Sequence, residues 1–482
     1  MTSAGQGTAG PIIPGQRPGD RRVRVERVKP IEYELPTPRR VRRPASPAIV
    51  LVRGFAVLIS IGTLVLMLPL SSNSGAWTPF IDALFTATSA VCVTGLVVVD
   101  TATYWSPFGH VAILVLVQLG GLGFMTASTL LLFMLVGRRT GLRDRMLVQA
   151  STGTPDLGST TAILVRVAAF TLIAEVLGLV VLTGAFLGDG LEPLTSLWWG
   201  LFHAVSAFNN AGFDLMGGFR SVTPFAGDPL ILGALAGLFI VGGLGYAIVG
   251  DMVYKRRWRR LALETKVVLL TTFALLGGGA LAIGLLEWSN PVTLGQLGPA
   301  ERAFNAAFMS ATRTAGFSSV PTDGLLEPTL VILGALMFIG GASGSTAGGI
   351  KVNTFSILLI AIVSTIRGDP SATALGRRVP HEIVYRALSI ALLSIAFVFV
   401  VVLGLELTTN LSFVDLAFEA ISAFGTVGLS TGITPDLPPA ARLLLTGAMF
   451  AGRLGPLTLV LALAARAKPV PYRPAVETIR IG

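Results

Sequence analysis

The order of apolar and polar positions along the chain predicts a helical membrane protein. Runs of about 20 apolar residues are long enough to cross a bilayer as helices. Eight such runs occur in four pairs, and each pair encloses a semi-apolar stretch of about 10–14 residues, which is too short to cross and is typical of a re-entrant segment. The pairs are 48–70 with 107–136, 160–188 with 229–250, 266–287 with 329–362, and 384–405 with 440–465.

Composition and the placement of charge agree with a membrane protein. The chain has 482 residues and is 52% hydrophobic and 13% charged, which is too apolar for an ordinary soluble protein. Most of its 36 Lys and Arg residues lie in the terminal segments and in the loops between one pair of runs and the next. Because cytoplasmic loops are enriched in these residues, we expect a multi-pass protein of the cytoplasmic membrane with both termini in the cytoplasm. The basic residues of these loops account for the net charge of +10, so we expect no nucleic-acid partner.

The terminal segments differ from the rest of the chain. Residues 1–46 are basic and rich in proline and contain no apolar run. This composition predicts a disordered cytoplasmic tail that lies near anionic lipid. Residues 467–482 are predicted to form a second cytoplasmic tail.

Residues suited to catalysis or metal binding are scarce. Cys92 is the one cysteine, and His110, His203 and His381 are far apart, so we expect neither a disulfide nor a transition-metal site. Cys92 has apolar neighbours and is predicted to be a core residue. The sequence contains no His-Glu-x-x-His motif and no dinucleotide-binding glycine motif, so we expect neither an enzyme nor a cofactor bound by this chain.

A short motif recurs once in each pair of runs. A single Ser-Ala-x-x-x-x-Gly sequence means little, because small residues are common where membrane helices pack. Four copies in register indicate internal repeats, and since each unit crosses twice, the repeats are parallel. The copies SAVCVTGL, SAFNNAGF, SATRTAGF and SAFGTVGL begin at Ser89, Ser206, Ser310 and Ser422, which predicts repeats at 47–137, 138–250, 251–364 and 365–466.

The glycine that ends each motif indicates a shared cation pathway. Glycine permits positive φ, and a ring of backbone carbonyls can replace the water shell of a potassium ion. Tight packing turns are the alternative, but they do not explain why the four copies share a register. The candidate ion-binding residues are Val93, Thr94 and Gly95; Asn210, Ala211 and Gly212; Thr314, Ala315 and Gly316; and Thr426, Val427 and Gly428.

These residues resemble the KtrB, TrkH and HKT superfamily of potassium transporters over about 47–466. The resemblance rests on TSAVCVTGLVVVDTATY from Thr88, FNNAGFD from Phe208, TRTAGF from Thr312, GGASGSTAGGIK from Gly340 and AGRLGPLT from Ala451. It is strongest to the KtrB branch, because the additional N-terminal helix pair of TrkH-type chains is absent and Gly95, which plant HKT-type chains often replace, is present.

The resemblance implies an all-α membrane protein with fourfold pseudosymmetry around one pore. Each parallel repeat would fold as helix, pore helix, filter loop and helix, and the protein would take up potassium. No copy contains the Thr-Val-Gly-Tyr-Gly run of four-chain potassium channels. A filter with one shared glycine per loop should discriminate less sharply, so we expect a potassium preference with measurable sodium permeation.

A dense run of small residues interrupts the second long apolar segment of the third repeat. Each interior glycine costs a helix about 1 kcal/mol relative to alanine, so a continuous helix is not expected. The run is also denser than the small-residue patterns that pack helices together. We predict a flexible intramembrane gating loop beneath the filter, which the family resemblance also implies. The loop comprises Gly340, Gly341, Ala342, Ser343, Gly344, Ser345, Thr346, Ala347, Gly348 and Gly349.

Three basic residues occur in apolar surroundings. Arg453 lies midway along the last apolar run, where an unpaired charge costs at least about 2.5 kcal/mol. The family resemblance implies a basic residue in the pore, where Arg453 would form a barrier and hold the loop shut through carbonyl contacts; the alternative is an ion pair with Glu175 or Glu406. Lys351 is a second gate candidate, although it could also snorkel to the interface. Arg313 is expected to brace the third filter loop against backbone carbonyls.

Secondary transport of another solute is the alternative function. A secondary transporter of another solute would have broken helices between inverted repeats. The parallel repeats of this chain disfavour that function.

The family resemblance implies a homodimer docked on a cytoplasmic ring of nucleotide-binding subunits similar to KtrA or TrkA. The basic loops at 138–145 and 255–260 could contact such a ring. Sodium could drive uptake, activate it or do neither.

Overall fold

The computed structural model describes residues 47–139 and 160–455, with side chains for 49–126 and 164–455. Four of the predicted features lie wholly or partly outside the described residues: the two tails, the basic loop from residue 140 onward, and the end of the eighth apolar run after residue 455.

The described part of the chain is almost entirely helical. A small antiparallel hairpin of β1 (Thr373–Ala374) and β2 (Arg377–Arg378) joins the eleventh helix to the twelfth. In chain order the helices are α1 (Pro47–Met67), α2 (Phe80–Cys92), α3 (Thr101–Tyr104), α4 (Pro107–Arg139), α5 (Thr160–Gly188), α6 (Pro193–Phe208), α7 (Pro229–Lys255), α8 (Leu263–Glu287), α9 (Pro299–Ala311), α10 (Glu327–Phe338), α11 (Val352–Ile366), α12 (His381–Glu406), α13 (Phe413–Gly425) and α14 (Pro439–Leu454).

Six of the described helices are long and apolar enough to span a membrane: α1, α4, α5, α7, α8 and α12. Their outward side chains are apolar and exposed, as with Leu64, Leu285 and Phe399. Lipid tails are as apolar as these side chains, so such faces are stable in a bilayer. These six helices coincide with six of the eight apolar runs, and α14 forms the described part of the eighth.

Four shorter helices lie between the members of the predicted pairs. They are α2, α6, α9 and α13, with 13, 16, 13 and 13 residues. Pro193 and Pro299 occupy the first turn of α6 and α9, where the missing N–H costs nothing. With 13–16 residues, all four helices are too short to cross a bilayer, as the sequence predicts. The 16 residues of α6 slightly exceed the predicted length of about 10–14.

The described interior contains two large apolar clusters and one small one. Phe85, Val117 and Met449 belong to the first large cluster, which is formed mainly by the first and fourth units with part of the second. Phe239 and Phe308 belong to the second large cluster, which is formed mainly by the second and third units with part of the fourth. The short helices α6 and α13 contribute to both of these clusters, α2 contributes to the first and α9 to the second.

Two long apolar segments are interrupted. The first is the predicted one: α10 ends at Phe338, α11 begins at Val352, and the residues between them are not helical. The second interruption was not predicted. Gly245 breaks α7 with φ 75° and ψ 166°, a conformation that favours glycine.

Candidate functional site

Each short helix leads into a motif glycine with left-handed backbone. The φ angles of Gly95, Gly212, Gly316 and Gly428 are 87°, 70°, 80° and 102°. The repeated glycines predicted positive φ at these positions, and all four adopt it. The third loop differs locally from the others, because a 3-10 turn at Thr312–Thr314 replaces the left-handed residue found at Val93, Asn210 and Thr426.

The serine that begins each motif stabilises the surrounding backbone. Ser89 and Ser422 accept hydrogen bonds through Oγ from the N–H of the glycine six residues later, at 3.0 and 3.1 Å. Ser206 donates to the carbonyl of Phe213 at 2.8 Å, and Ser310 donates to that of Leu276 at 2.8 Å. The serines thus fix the loops, and the third again departs from the pattern because its partner is a neighbouring helix.

The four motif glycines form a closed ring of contacts. A Cβ added to Gly212 would lie 2.6 Å from the carbonyl oxygen of Ala315, on the third loop. Each of the other three glycines likewise lies against a carbonyl of the next loop in chain order, and the fourth loop closes on the first. The pairs are Gly95 with Ala211, Gly316 with Val427, and Gly428 with Thr94. We call the four glycines the glycine ring.

The electrostatics of the glycine ring favour a cation. Helices α2, α6, α9 and α13 end three to five residues before their glycines. The C-terminal end of a helix carries about half a negative charge, owing to its unpaired carbonyls. Four such ends converge on the ring, which would stabilise a dehydrated positive ion there.

One side of the glycine ring opens into a polar cavity of about 370 Å³. All four glycines line it, together with Asp214, Arg220 and Asp323, among other residues. Burial raises the pKa of Asp214 to about 6; the charge of Asp100 adds to this shift, whereas the N–H of Met216 and the charge of Arg220 oppose it. The cavity therefore contains acidic side chains close to the ring.

The predicted gating loop, residues 340–349, lies on the other side of the ring. Thr346 Oγ1 donates to Asn210 Oδ1 at 2.6 Å and lies 3.2 Å from the carbonyl oxygen of Phe208. Gly348 packs so closely against Thr426 that a Cβ added to Gly348 would overlap the Thr426 side chain. Phe208, Asn210 and Thr426 precede the motif glycines in the chain, whereas the polar cavity is lined by the glycines and by residues that follow them. The loop and the cavity therefore lie on opposite sides of the ring. We call residues 340–349 the intramembrane loop.

The intramembrane loop is hydrogen-bonded to α7. The N–H of Ala342 donates to the carbonyl of Gly243 at 2.8 Å, and that of Thr346 donates to Gly242 at 3.2 Å. At Gly245, a side chain would collide with the backbone of the loop. The loop is therefore held in place by α7, an attachment that the sequence analysis did not anticipate. The glycines at 242, 243 and 245 within an apolar run were the available signal.

Arg453 is buried and bound to backbone carbonyls. It is 1% exposed, and its guanidinium donates to the carbonyl of Thr346 and, at 3.2 Å, to that of Gly120. Its guanidinium carbon lies 4.5 Å from the ring centroid of Phe124. Lys351 shares that aromatic ring at 4.9 Å and donates to the carbonyl of Ala347. The two basic gate candidates therefore both contact the intramembrane loop.

The alternative of an ion pair for Arg453 does not match the geometry. Glu175 is hydrogen-bonded to Gln118 and Asn209, each at 3.1 Å. In the described part of the chain, no carboxylate forms a salt bridge with Arg453. Its positive charge is instead compensated by carbonyl dipoles and by the Phe124 ring.

Arg313 links the third motif to the start of the intramembrane loop. It is 2% exposed, and its guanidinium donates to the carbonyls of Leu336 and Ile339. Those carbonyls lie at the end of α10. Arg313 does brace backbone carbonyls, as expected, but the braced segment is the one that leads into the loop.

Long apolar helices, four short helices and a central ring of backbone groups define a helical membrane transport protein. Residues 33–469 match the family described as TrkH, cation transport protein, and the chain belongs to that family. It is 39% identical over 421 residues to the Ktr system potassium uptake protein B of Bacillus subtilis (strain 168), covering 87% of this chain and 93% of that protein.

A second relative and a solved structure are also similar to this chain. The chain is 36% identical over 451 residues to the potassium/sodium uptake protein NtpJ of Enterococcus hirae, covering 92% of this chain and 99% of that protein. The crystal structure of the potassium transporter TrkH from Vibrio parahaemolyticus has a TM-score of 0.67 over 88% of this chain and 86% of that one. At 19% identity, this likeness shows the fold alone.

Proposed function

We propose that this protein takes up potassium across the cytoplasmic membrane through the glycine ring. The observation that carries the proposal is the closed contact ring of four loops, at which four short helices end. Convergent carbonyls and helix C-termini can replace the hydration of a cation without fixed charge. Curated relatives named as potassium uptake proteins support potassium as the ion.

In this proposal the four loops form a fourfold pseudosymmetric selectivity filter. Its residues are the three at the end of each motif, 93–95, 210–212, 314–316 and 426–428. The polar cavity would be the outer entrance, where Asp214 and Asp323 attract cations. The enrichment of Lys and Arg in the loops between the units supports a cytoplasmic position for those loops, and hence for both termini.

The intramembrane loop would be the gate on the inner side. It is tied to two filter loops through Asn210 and Thr426 and to the pore arginine through the Thr346 carbonyl. Opening would break these contacts and remove the positive charges of Arg453 and Lys351 from the pathway. Because the loop is rich in glycine, it can adopt a second backbone conformation at little steric cost.

Regulation would come from other subunits. We propose a homodimer that docks on a cytoplasmic ring of nucleotide-binding subunits similar to KtrA or TrkA, since two of the relatives are named as components of a Ktr system. The name of a third, potassium/sodium uptake protein, supports some sodium permeation or dependence.

Flux through the purified protein in phospholipid vesicles tests the proposed function. We expect potassium uptake that rubidium inhibits strongly and sodium inhibits weakly, with protein-free vesicles as the control. Uptake that shows no preference among the three cations would contradict the proposal. Sodium-coupled uptake of an organic solute without potassium flux would favour the secondary-transporter alternative.

A further inference from the structure

A second cavity, separate from the glycine ring, lies between α7 and α8. It has a volume of about 430 Å³ and is lined almost wholly by apolar side chains of the two helices, including Ile240, Leu244, Leu269 and Phe273. It runs towards the turn between the helices, where Arg256 and Trp258 complete the lining. We call this cavity the α7–α8 crevice.

The mouth of the crevice is strongly basic. Arg256, Arg257, Arg259 and Arg260 are exposed on the turn that joins the two helices. Lys255, beside them, is paired with Asp251 at 2.6 Å. Arg256 is the one of the four arginines that lines the crevice, and within the described part of the chain its guanidinium has no hydrogen bond or salt bridge.

We infer that the α7–α8 crevice binds an anionic phospholipid. One acyl chain would occupy the apolar part of the crevice, and the phosphate would bind the Arg256 guanidinium. Basic pockets between membrane helices suit anionic headgroups, and an exposed tryptophan beside the mouth is typical of the membrane interface. The charge at the mouth selects an anionic lipid, and the apolar lining selects a molecule with a hydrocarbon chain.

The position of the crevice gives such a lipid a route to the intramembrane loop. Leu244 and Leu269 line the crevice and belong to the same small apolar cluster as Ala342 of the loop. The carbonyls of Gly242 and Gly243, in the same stretch of α7, accept the loop's hydrogen bonds. A lipid in the crevice therefore packs against the broken segment of α7 that holds the loop. This effect on transport rests on the proposed gating function, whereas the binding site does not.

Lipid retention by the full-length protein in detergent tests the binding site. Native mass spectrometry would count dioleoylphosphatidylglycerol molecules retained by the wild type, by Arg256→Gln and by the matched control Arg257→Gln. We expect about a fivefold loss of retention in Arg256→Gln and little change in the control. Equal losses in the two variants, or equal retention of phosphatidylglycerol and phosphatidylcholine by the wild type, would overturn the inference.

A second variant tests the apolar part of the site without altering charge. Thr272 lines the crevice, and Thr272→Trp should fill it and reduce retention of phosphatidylglycerol. Unchanged retention in folded Thr272→Trp would overturn the inference, and if this variant does not fold, the arginine pair still decides. Potassium flux in vesicles with and without phosphatidylglycerol is measured separately, so a failure of the proposed transport leaves the binding result interpretable.

Discussion

Thr346 Oγ1 donates a hydrogen bond to Asn210 Oδ1 across 2.6 Å, which ties the intramembrane loop directly to the second filter motif. The amide nitrogen of Asn210 donates in turn to Thr314 Oγ1 at 3.1 Å and to the Phe239 carbonyl at 3.2 Å. One buried amide thus joins two filter motifs, the loop and α7. Movement of the loop would therefore alter the support of the filter.

Thr346→Val removes this hydroxyl while keeping the shape of the side chain. A hydrogen bond of this kind contributes about 1 kcal/mol, so the closed position of the loop should be weakened and potassium flux should rise roughly fivefold. Flux in vesicles at equal protein content measures the effect.

The matched control is Thr365→Val, since the Thr365 hydroxyl donates to the Ala361 carbonyl of its own helix, at 2.8 Å, and contacts neither the intramembrane loop nor a filter motif in the described residues. Its flux should equal that of the wild type. Equal flux in both variants would show that the Asn210–Thr346 bond does not hold the gate closed.

Arg453→Ala should raise the potassium transport rate, by roughly tenfold if the guanidinium is an electrostatic barrier. The substitution also removes the hydrogen bond to the Thr346 carbonyl, so both changes favour an open path. Arg453→Lys keeps the charge and should remain near the wild-type rate. An unchanged rate in folded Arg453→Ala would exclude the barrier.

Arg313→Ala should destabilise the protein. The substitution removes the guanidinium that donates to the Ile339 carbonyl, and an unpaired buried carbonyl costs about 1–3 kcal/mol; the Leu336 carbonyl keeps the N–H of Ile339 as a donor. Thermal unfolding in detergent should show a clear decrease in the midpoint temperature. Arg367 is exposed and serves as the control, because its replacement by alanine should change the midpoint little. Equal midpoint temperatures for the Arg313 and Arg367 variants would contradict the proposal that Arg313 braces this segment.

Uptake should depend on external pH through Asp214, whose pKa is raised to about 6. Above pH 6 the carboxylate is charged and attracts cations into the polar cavity; as the pH falls through 6 it becomes neutral, and uptake from dilute potassium should decrease. Flux at external pH 5, 6, 7 and 8 measures this dependence. Asp214→Asn should remove the pH 6 step, and persistence of that step would assign it to another group.

The sequence predicted the elements that depend on periodicity and on repetition. Apolar runs located the long helices, because a bilayer requires about 20 apolar residues for each crossing. The four motifs located the glycine ring, because a glycine repeated in register favours positive φ at the same point of each unit. The density of glycines after Gly340 likewise predicted the interruption between α10 and α11.

Features that depend on contacts between distant segments could not be predicted in this way. The bond from Thr346 to Asn210 joins residues 136 positions apart, and nothing in either motif indicates the other. Glu419 is another example: it accepts hydrogen bonds from Ser430, Thr431 and Thr434 and so fixes the chain after the fourth glycine. Glu419 lies on α13, before the filter loop, and nothing in the motif indicates these partners.

The most direct test of the glycine ring as a selectivity filter is the ratio of potassium to sodium flux in Gly95→Ser. The added side chain would overlap the carbonyl of Ala211 and distort the ring, so the ratio should fall. Gly75→Ser is the control, because Gly75 also has positive φ, 67°, but has open space around it. A lower ratio in Gly95→Ser alone is the predicted result, and an unchanged ratio in folded, transporting Gly95→Ser would contradict the proposed filter.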